Sequence, residues 1–202
     1  MPDREPTPAA DPLNVAAICP STRALGPGKR FVVWVQGCPF DCPRCGSPQW
    51  RPMTAALRYT PAALADKILS VPDLEGITLS GGEPMIQAAG LLDLVRRVRN
   101  VRPLSVICYT GFTLDALRRL NDPAITGLLR EIDVLIDGPY IDRLNDDRGL
   151  RGSSNQGIHF LTGRYRDQAE SMARRKREVE IHLADDHCLI VGVHPKGFEV
   201  TI

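Results

Sequence analysis

GCPFDCPRCGSPQW, at Gly37–Trp50, places three cysteines in a C-x3-C-x2-C loop. They are Cys38, Cys42 and Cys45, and no fourth cysteine lies nearby in the sequence. A [4Fe-4S] cluster has four irons and normally takes four thiolates. Three local thiolates therefore predict a reactive cluster in which one iron stays open for another ligand.

Zinc sites also use clustered cysteines, but structural zinc sites are closed and tetrahedral, usually built from two ligand pairs. The second pair is missing here, because the first histidine is His159 and a fourth thiol would have to come from Cys19 or Cys108. A ferredoxin-like electron carrier would also need a fourth cluster cysteine. The spacing favours the open iron–sulfur site, and a zinc site stays an alternative at this point.

The composition of the 202-residue chain, 43% hydrophobic and 24% charged, is typical of one soluble globular domain with a tail. A net charge of +1 argues against nucleic acid and acidic membranes as partners. The run FVVWV at Phe31–Val35 is too short to span a bilayer, and the first residues lack the apolar core of a secretory signal. Six cysteines without an export signal predict metal or redox chemistry in the cytoplasm.

Strands and helices are predicted to alternate on both sides of the cysteine loop. This order favours βαβ units and a parallel sheet, in which ligands bind at the carboxyl ends of the strands. The sequences GCPFDCPRC, SGGEP, YTG and DGPY all fall at such ends. The predicted strands are Val15–Cys19, Arg30–Gln36, Gly76–Ser80, Leu104–Thr110, Ile132–Ile136 and Ile158–Leu161. The predicted helices begin at Thr60-Pro61, cover Met85–Arg99, begin again at Thr113, and add a turn or two within Ala124–Glu131.

We expect three parts along the chain: a disordered N-terminal tail over residues 1–13, a core domain over 14–162, and a C-terminal extension over 163–202. The extension is predicted to hold a hairpin of Val179–Leu183 and Cys188–Val193. Its basic run Arg174–Arg177 is typical of a solvated helix face, and a partner-docking role for the extension is the sharper hypothesis.

Several motifs, in order, resemble the radical S-adenosylmethionine superfamily and, within it, the small activating enzymes of anaerobic ribonucleotide reductase. They are GPGKR at Gly26–Arg30, QGCPFDCPRC, Trp50, LSGGEP, YTG, DVLIDGPYI and RGSSNQ at Arg151–Gln156. The resemblance implies an α/β fold, an incomplete (β/α) barrel of the radical S-adenosylmethionine type that is open on one side.

The resemblance also implies the chemistry. Cys38, Cys42 and Cys45 would hold a [4Fe-4S] cluster whose fourth iron binds the methionyl end of S-adenosylmethionine. One electron, from an external donor such as flavodoxin or ferredoxin, would then release a 5′-deoxyadenosyl radical that takes hydrogen from a protein or peptide. The implied function is a glycyl radical enzyme activase, most simply for anaerobic ribonucleotide reductase. A maturase of another protein or peptide is one alternative, and a non-catalytic zinc or iron–sulfur binding module is another.

Within this resemblance, the predicted cofactor-binding residues are Gly81, Gly82, Glu83, Pro84, Tyr109, Thr110 and Asp137. Two glycines let the backbone approach a ligand closely, and strand-end carbonyls beside Glu83 suit an ammonium group. Tyr109, Thr110 and Gly111 would contact the ribose or the carboxylate. The alternatives are a plain strand-to-helix turn, a core tyrosine with a turn glycine, and an aspartate that caps its loop.

The resemblance leaves some residues with open roles. The superfamily often has an aromatic residue near adenine before the third cluster cysteine, and the activases tend to have glycine, whereas this chain has Arg44. Residues of the RGSSNQ motif are expected on the substrate side, or else in a solvated loop: Arg151, Ser153, Ser154 and Asn155. Three further cysteines are expected as small core residues: Cys19, Cys108 and Cys188.

Overall fold

The computed structural model describes residues 12–183 and 188–198, so residues 1–11 of the predicted tail lie outside the described part. Within these residues the strands are β1 Leu13–Thr22, β2 Arg30–Val35, β3 Leu57–Tyr59, β4 Gly76–Gly81, β5 Ser105–Tyr109, β6 Val134–Asp137, β7 Gly157–Phe160, β8 Val179–Leu183 and β9 Cys188–Gly192. The α-helices are α1 Pro61–Leu69, α2 Ala88–Val101, α3 Leu114–Arg119, α4 Pro123–Glu131 and α5 Ala169–Arg174.

The main sheet of the described residues has seven strands in the order β3-β1-β2-β4-β5-β6-β7. The four central strands, β2, β4, β5 and β6, run parallel to one another, while β1, β3 and β7 pair antiparallel at the two sides. The predicted α/β class is confirmed. The described residues show no closed barrel, and the barrel part of the prediction is not confirmed.

The helices begin where the local sequence predicts. The side chains of Thr60 and Thr113 accept hydrogen bonds from the Ala63 and Ala116 amides at α1 and α3, and Asp122 caps α4. Such caps satisfy amides that have no partner inside the helix, and each contributes roughly 1 kcal/mol. The predicted helix at Met85 differs at its start, because a 3-10 turn over Pro84–Gln87 precedes α2.

The sheet is buried on both faces, which explains the continuous apolar run of β2. On one face Phe31, Val33 and Val35 pack against α1 and α2 in the largest apolar cluster. On the other face the sheet packs against the described part of the C-terminal extension. The sheet side of this second layer includes Val32, Trp34, Ile107, Val134 and Ile136, and the extension contributes Tyr165, Met172 and Val191.

The extension holds the predicted hairpin, since β8 and β9 pair antiparallel. Two other predictions about residues of the extension are wrong. The helix α5 ends at Arg174, and the Arg177 side chain is only 2% exposed, so the basic run is not a solvated helix face. Cys188 is exposed on the hairpin, whereas Cys19 and Cys108 are buried in the core as predicted. No helix in the described part of the chain is long and apolar enough to cross a membrane.

Candidate functional site

The carboxyl ends of β2, β4 and β5 open into a cavity of about 1060 Å³. Residues from the cysteine loop and from both following strand ends line it together, as the sheet argument predicts. The residues predicted to contact the cluster or S-adenosylmethionine that line this cavity are Cys38, Cys42, Cys45, Gly81, Gly82, Glu83, Tyr109, Thr110 and Gly111. Pro84 and Asp137 are not among its lining residues.

The cysteine loop is closed at its base by backbone hydrogen bonds. The Gly37 amide donates to the Trp50 carbonyl at 2.9 Å, and the Cys38 amide donates to the Arg51 carbonyl at 2.9 Å. Arg51 also pairs with Asp41 inside the loop. The three cysteines, all half-buried, line the cavity from this closed loop.

The donor set fits an iron–sulfur cluster. Among residues 12–183 and 188–198, no three Cys, His, Asp or Glu side chains converge on one point as ligands of a single metal ion must. A four-iron cluster takes its thiolates on separate irons, so its ligands need not converge in that way. Burial raises the pKa of the Cys38 and Cys42 thiols, and cluster binding would displace their protons because the ligand is the thiolate.

The glycine pair in SGGEP lets two segments of backbone meet. Gly81 has a φ of +105°, and a β-carbon at Gly82 would overlap the carbonyl oxygen of Gly37. The Gly82 amide donates to the Val35 carbonyl at 2.7 Å, and the Glu83 amide donates to the Gly37 carbonyl at 2.8 Å. The pair therefore fastens the start of the cysteine loop to the end of β4, in addition to lining the cavity.

Glu83 joins the ends of β4 and β5. Its buried carboxylate accepts hydrogen bonds from the Thr110 hydroxyl at 2.8 Å, the Gly111 amide at 2.7 Å and the Met85 amide at 2.9 Å. Burial raises the pKa of this carboxyl group, and the three donors partly offset that effect. Glu83 thus has a bracing role that the sequence did not indicate, at a position that also faces the cavity.

Tyr109 lines the cavity, and its buried hydroxyl has no hydrogen-bond partner among the described residues. Burial raises its pKa, so the hydroxyl stays protonated and can donate. A buried donor without a partner costs free energy. The ligand-binding role of Tyr109 stays a prediction, supported by its position in the cavity lining.

Asp137 is used elsewhere in the fold. Its carboxylate accepts the Leu114 amide at 2.6 Å and the Gly157 amide at 3.0 Å, and it lies 2.9 Å from Nε2 of His159. It therefore fastens the start of α3 and the antiparallel strand β7. This position agrees with the alternative that Asp137 caps its loop.

The RGSSNQ motif contributes Gly152 and Gln156 to the cavity lining. Gln156 accepts the Gly152 amide at 2.8 Å and donates to the Gly138 carbonyl at 2.7 Å, so it ties this loop to the end of β6. The four residues expected on the substrate side do not line the cavity: Arg151, Ser153, Ser154 and Asn155. The Ser153 hydroxyl instead accepts the Ile141 amide at 3.1 Å, which makes it part of the loop scaffold.

Arg44 has a left-handed backbone, with a φ of +57°. Glycine adopts this conformation without the strain that a β-carbon brings, which explains physically why a glycine suits this position. The Arg44 side chain is 68% exposed, with Nε 3.7 Å from Asp142. The loop therefore keeps a glycine-like turn although it carries an arginine.

Some lining residues had no predicted site role. Tyr140 and Asn145 follow β6, and the DGPY motif pointed to Tyr140 alone. A further group comes from the C-terminal extension: Cys188, Leu189, Ile190, Gly192, Val193, His194, Pro195, Gly197 and Phe198. No spacing in the sequence connects them with the cysteines, because they reach the site only through the packing of β9 on the sheet.

A family model described as a 4Fe-4S single cluster domain matches residues 24–159, which include the cysteine loop and all the strand ends discussed. The anaerobic ribonucleoside-triphosphate reductase-activating protein of Vibrio cholerae is 38% identical over 162 residues, covering 74% of this chain and 99% of that protein. The protein of the same name from Enterobacteria phage T4 is 31% identical over 152 residues, covering 72% and 93%.

The chain belongs to this family of activating proteins. It is accordingly a radical S-adenosylmethionine enzyme of the glycyl radical activase type, with a [4Fe-4S] cluster and S-adenosylmethionine as its cofactors. Among solved structures, QueE from Escherichia coli aligns with a TM-score of 0.40 at 18% identity over 51% of this chain and 53% of that chain, too distant a likeness to bear on the fold. The family model ends at residue 159, before the C-terminal extension.

Proposed function

We propose that this activase installs a glycyl radical on a partner enzyme, namely an anaerobic ribonucleoside-triphosphate reductase. The observation that carries the proposal is the single cavity in which Cys38, Cys42 and Cys45 meet the SGGEP and YTG strand ends. The family membership supports the reductase as the partner, because the relatives named above are activating proteins of that reductase.

In this proposal Cys38, Cys42 and Cys45 would hold the cluster, and S-adenosylmethionine would bind in the cavity beside it. Together the two groups would supply the one-electron cleavage of a sulfonium C–S bond and the transfer of one hydrogen atom from a glycine of the partner, so that methionine, 5′-deoxyadenosine and a glycyl radical would result. The protein supplies position and the exclusion of water.

The chain's own residues support these tasks in distinct ways. Glu83 holds the ends of β4 and β5 in register through Thr110 and Gly111. Tyr109 contributes to the wall of the cavity beside Thr110 and Gly111. The closed base of the cysteine loop keeps the three thiols together on one side of the cavity.

The electron would come from an external one-electron donor such as flavodoxin or ferredoxin, and the setting would be the cytoplasm. Six cysteines without a disulfide among the described residues agree with a reducing compartment. Depletion of one donor class at a time from an anaerobic extract, with S-adenosylmethionine cleavage as the readout, tests this part of the proposal.

The test of the whole proposal is anaerobic reconstitution followed by reaction with a candidate reductase. We expect about four irons per chain for a [4Fe-4S] cluster, cleavage of S-adenosylmethionine under dithionite, and a glycyl radical signal by electron paramagnetic resonance. Stoichiometric zinc without cleavage would refute the enzyme assignment. The non-catalytic binding module already disagrees with the family to which the chain belongs.

One observation favours a second candidate, a maturase that modifies another protein or peptide. The C-terminal extension lies beyond the family model and still lines the cavity, so the space near the cluster differs from that of a chain without it. Cleavage of S-adenosylmethionine that leaves every co-encoded glycyl radical enzyme without a radical would support the maturase.

A further inference from the structure

Two aromatic rings of the C-terminal extension face the cavity. His194 and Phe198 line it, with their ring centroids 5.0 Å apart and their planes inclined by 35°. The Nδ1 atom of His194 lies 3.9 Å from the position of a β-carbon on Gly46, the residue that follows the third cluster cysteine. The pair therefore adjoins the cysteine loop directly.

Hydrophobic packing does not account for this pair. Phe198 belongs to none of the three apolar clusters formed by residues 12–183 and 188–198. Two other lining rings are already engaged, since Phe40 packs edge-on against Phe112 at 4.8 Å and Trp50 packs against Trp34 at 5.4 Å. His194 and Phe198 are half-buried and pack against each other at the rim of the cavity, so part of their surface stays exposed.

The position of the pair is fixed by a buried guanidinium. Arg177 donates from Nη1 to the His194 carbonyl at 3.0 Å, and from Nη2 to the carbonyls of Arg151 at 2.7 Å and Gly152 at 3.0 Å. The Phe198 amide donates to the Pro195 carbonyl at 3.2 Å, which closes the turn that brings the two rings together. These hydrogen bonds therefore hold both rings at the rim of the cavity.

The cysteine loop itself offers no ring at this place. Pro43 and Arg44 stand between Cys42 and Cys45, and the Arg44 side chain is 68% exposed and pairs with Asp142. The purine is the only flat aromatic part of S-adenosylmethionine. Bases stack on aromatic side chains because every base has a π face. Burial lowers the pKa of His194, so its ring is neutral near pH 7 and suits stacking.

We propose that His194 and Phe198 form the aromatic wall on which the adenine of S-adenosylmethionine stacks. The C-terminal extension then completes the cofactor site of this chain, and its role is specificity for the nucleoside end of the cofactor. This inference concerns cofactor binding alone. It is independent of the proposed reductase partner, because the binding test contains no partner protein.

The test measures binding to the anaerobically reconstituted enzyme by isothermal titration calorimetry. A double variant, His194→Gln with Phe198→Leu, keeps polarity and apolar volume but removes both rings. We expect its Kd for S-adenosylmethionine and for 5′-deoxyadenosine to rise about 5- to 100-fold, the range of one base–aromatic stack. The affinity for L-methionine and the iron content per chain should stay at the parent values.

Two further variants make the result specific. Phe198→Tyr keeps the ring and should bind S-adenosylmethionine as the parent does, and Lys196→Ala, on an exposed residue of the same turn outside the lining, should do the same. Unchanged S-adenosylmethionine affinity in the double variant would overturn the proposal. An equal loss of affinity for L-methionine would overturn the proposal as well, because L-methionine has no adenine. Such a loss would show that the substitutions disturb the whole cavity.

Discussion

Gly82 has no room for a β-carbon beside the cysteine loop. It lies against the Gly37 carbonyl, so that the chain of β4 and the start of the cysteine loop touch backbone to backbone. Such contacts set the direction in which the three thiols point. Single residues without reactive groups therefore matter here as much as the cysteines do.

Gly82→Ala should displace the start of the cysteine loop, because its β-carbon overlaps the Gly37 oxygen. We expect a loss of about 1–3 kcal/mol in the free energy of unfolding, as for other overpacked sites, together with a lower iron content after reconstitution. Gly163→Ala is the matched control, since nothing lies within 4 Å of its added β-carbon. Equal behaviour of the two variants in urea unfolding and iron assays would contradict this account.

Cys42→Ala should abolish cluster retention and S-adenosylmethionine cleavage, because two thiolates cannot hold the cluster. Cys108→Ala should retain both, since Cys108 is fully buried in the core below the site, and should cost only about 1 kcal/mol of stability. Iron analysis and the visible absorbance of the reconstituted proteins check both expectations. Loss of the cluster in Cys108→Ala would show that the three-cysteine assignment is wrong.

At the scale of elements, one side chain joins the extension to the loops after β6. Arg177 is 2% exposed and reaches the carbonyls of Arg151, Gly152 and His194, as well as Oδ1 of Asn145 at 2.7 Å. A guanidinium suits this position because its planar donors reach several acceptors at once. The hairpin and the RGSSNQ loop are thereby held as one rim of the cavity.

Arg177→Ala should loosen this rim, since each buried acceptor left without a donor costs about 1–3 kcal/mol. We expect about 2–4 kcal/mol lower stability and faster proteolytic cleavage within residues 163–198. Arg174→Ala is the matched control, because Arg174 is 76% exposed and pairs only with Glu170 on the same helix. Chemical denaturation and limited proteolysis measure both variants. Stability and proteolysis of Arg177→Ala equal to those of the parent would argue against this anchoring role.

At the scale of the whole molecule, both faces of the main sheet are covered. The layer on the second face is contributed largely by the C-terminal extension, which follows residue 159, where the family model ends. Tyr165 connects this layer to the far end of the sheet, since its hydroxyl lies 2.7 Å from both Glu75 Oε1 and Ser105 Oγ. The buried Arg30 lies beside it, donating to Thr78 at 2.7 Å and Ser105 at 2.9 Å. The described part of the C-terminal extension, residues 163–183 and 188–198, thus acts as a structural layer as well as a rim.

A chain that ends at Thr162 should lose this layer and expose Val32, Trp34, Ile107 and Ile136, which are buried in the full chain. Exposed apolar patches of that kind promote association. We expect aggregation in size-exclusion chromatography and strong binding of an apolar dye, relative to the full chain. A monomeric truncated protein with cooperative unfolding would show that the extension is dispensable for the fold.

The sequence alone determined what depends on neighbours along the chain. The C-x3-C-x2-C spacing, the threonine caps at Thr60 and Thr113, and the strand ends at SGGEP and YTG are local patterns, and the structure has each where it was predicted. The family follows from the same motifs. These features can be predicted from the sequence because spacing and capping act over a few residues.

Only the tertiary structure decided which distant residues meet at the cavity. Asp137 turned toward α3 and β7, Glu83 became a brace between strands, and Arg177 brought His194 and Phe198 beside the cysteine loop. These outcomes depend on the antiparallel addition of β7 and on the packing of the extension against the second face of the sheet. Long-range packing of this kind is set by the fit of whole surfaces, which no local pattern in the sequence encodes.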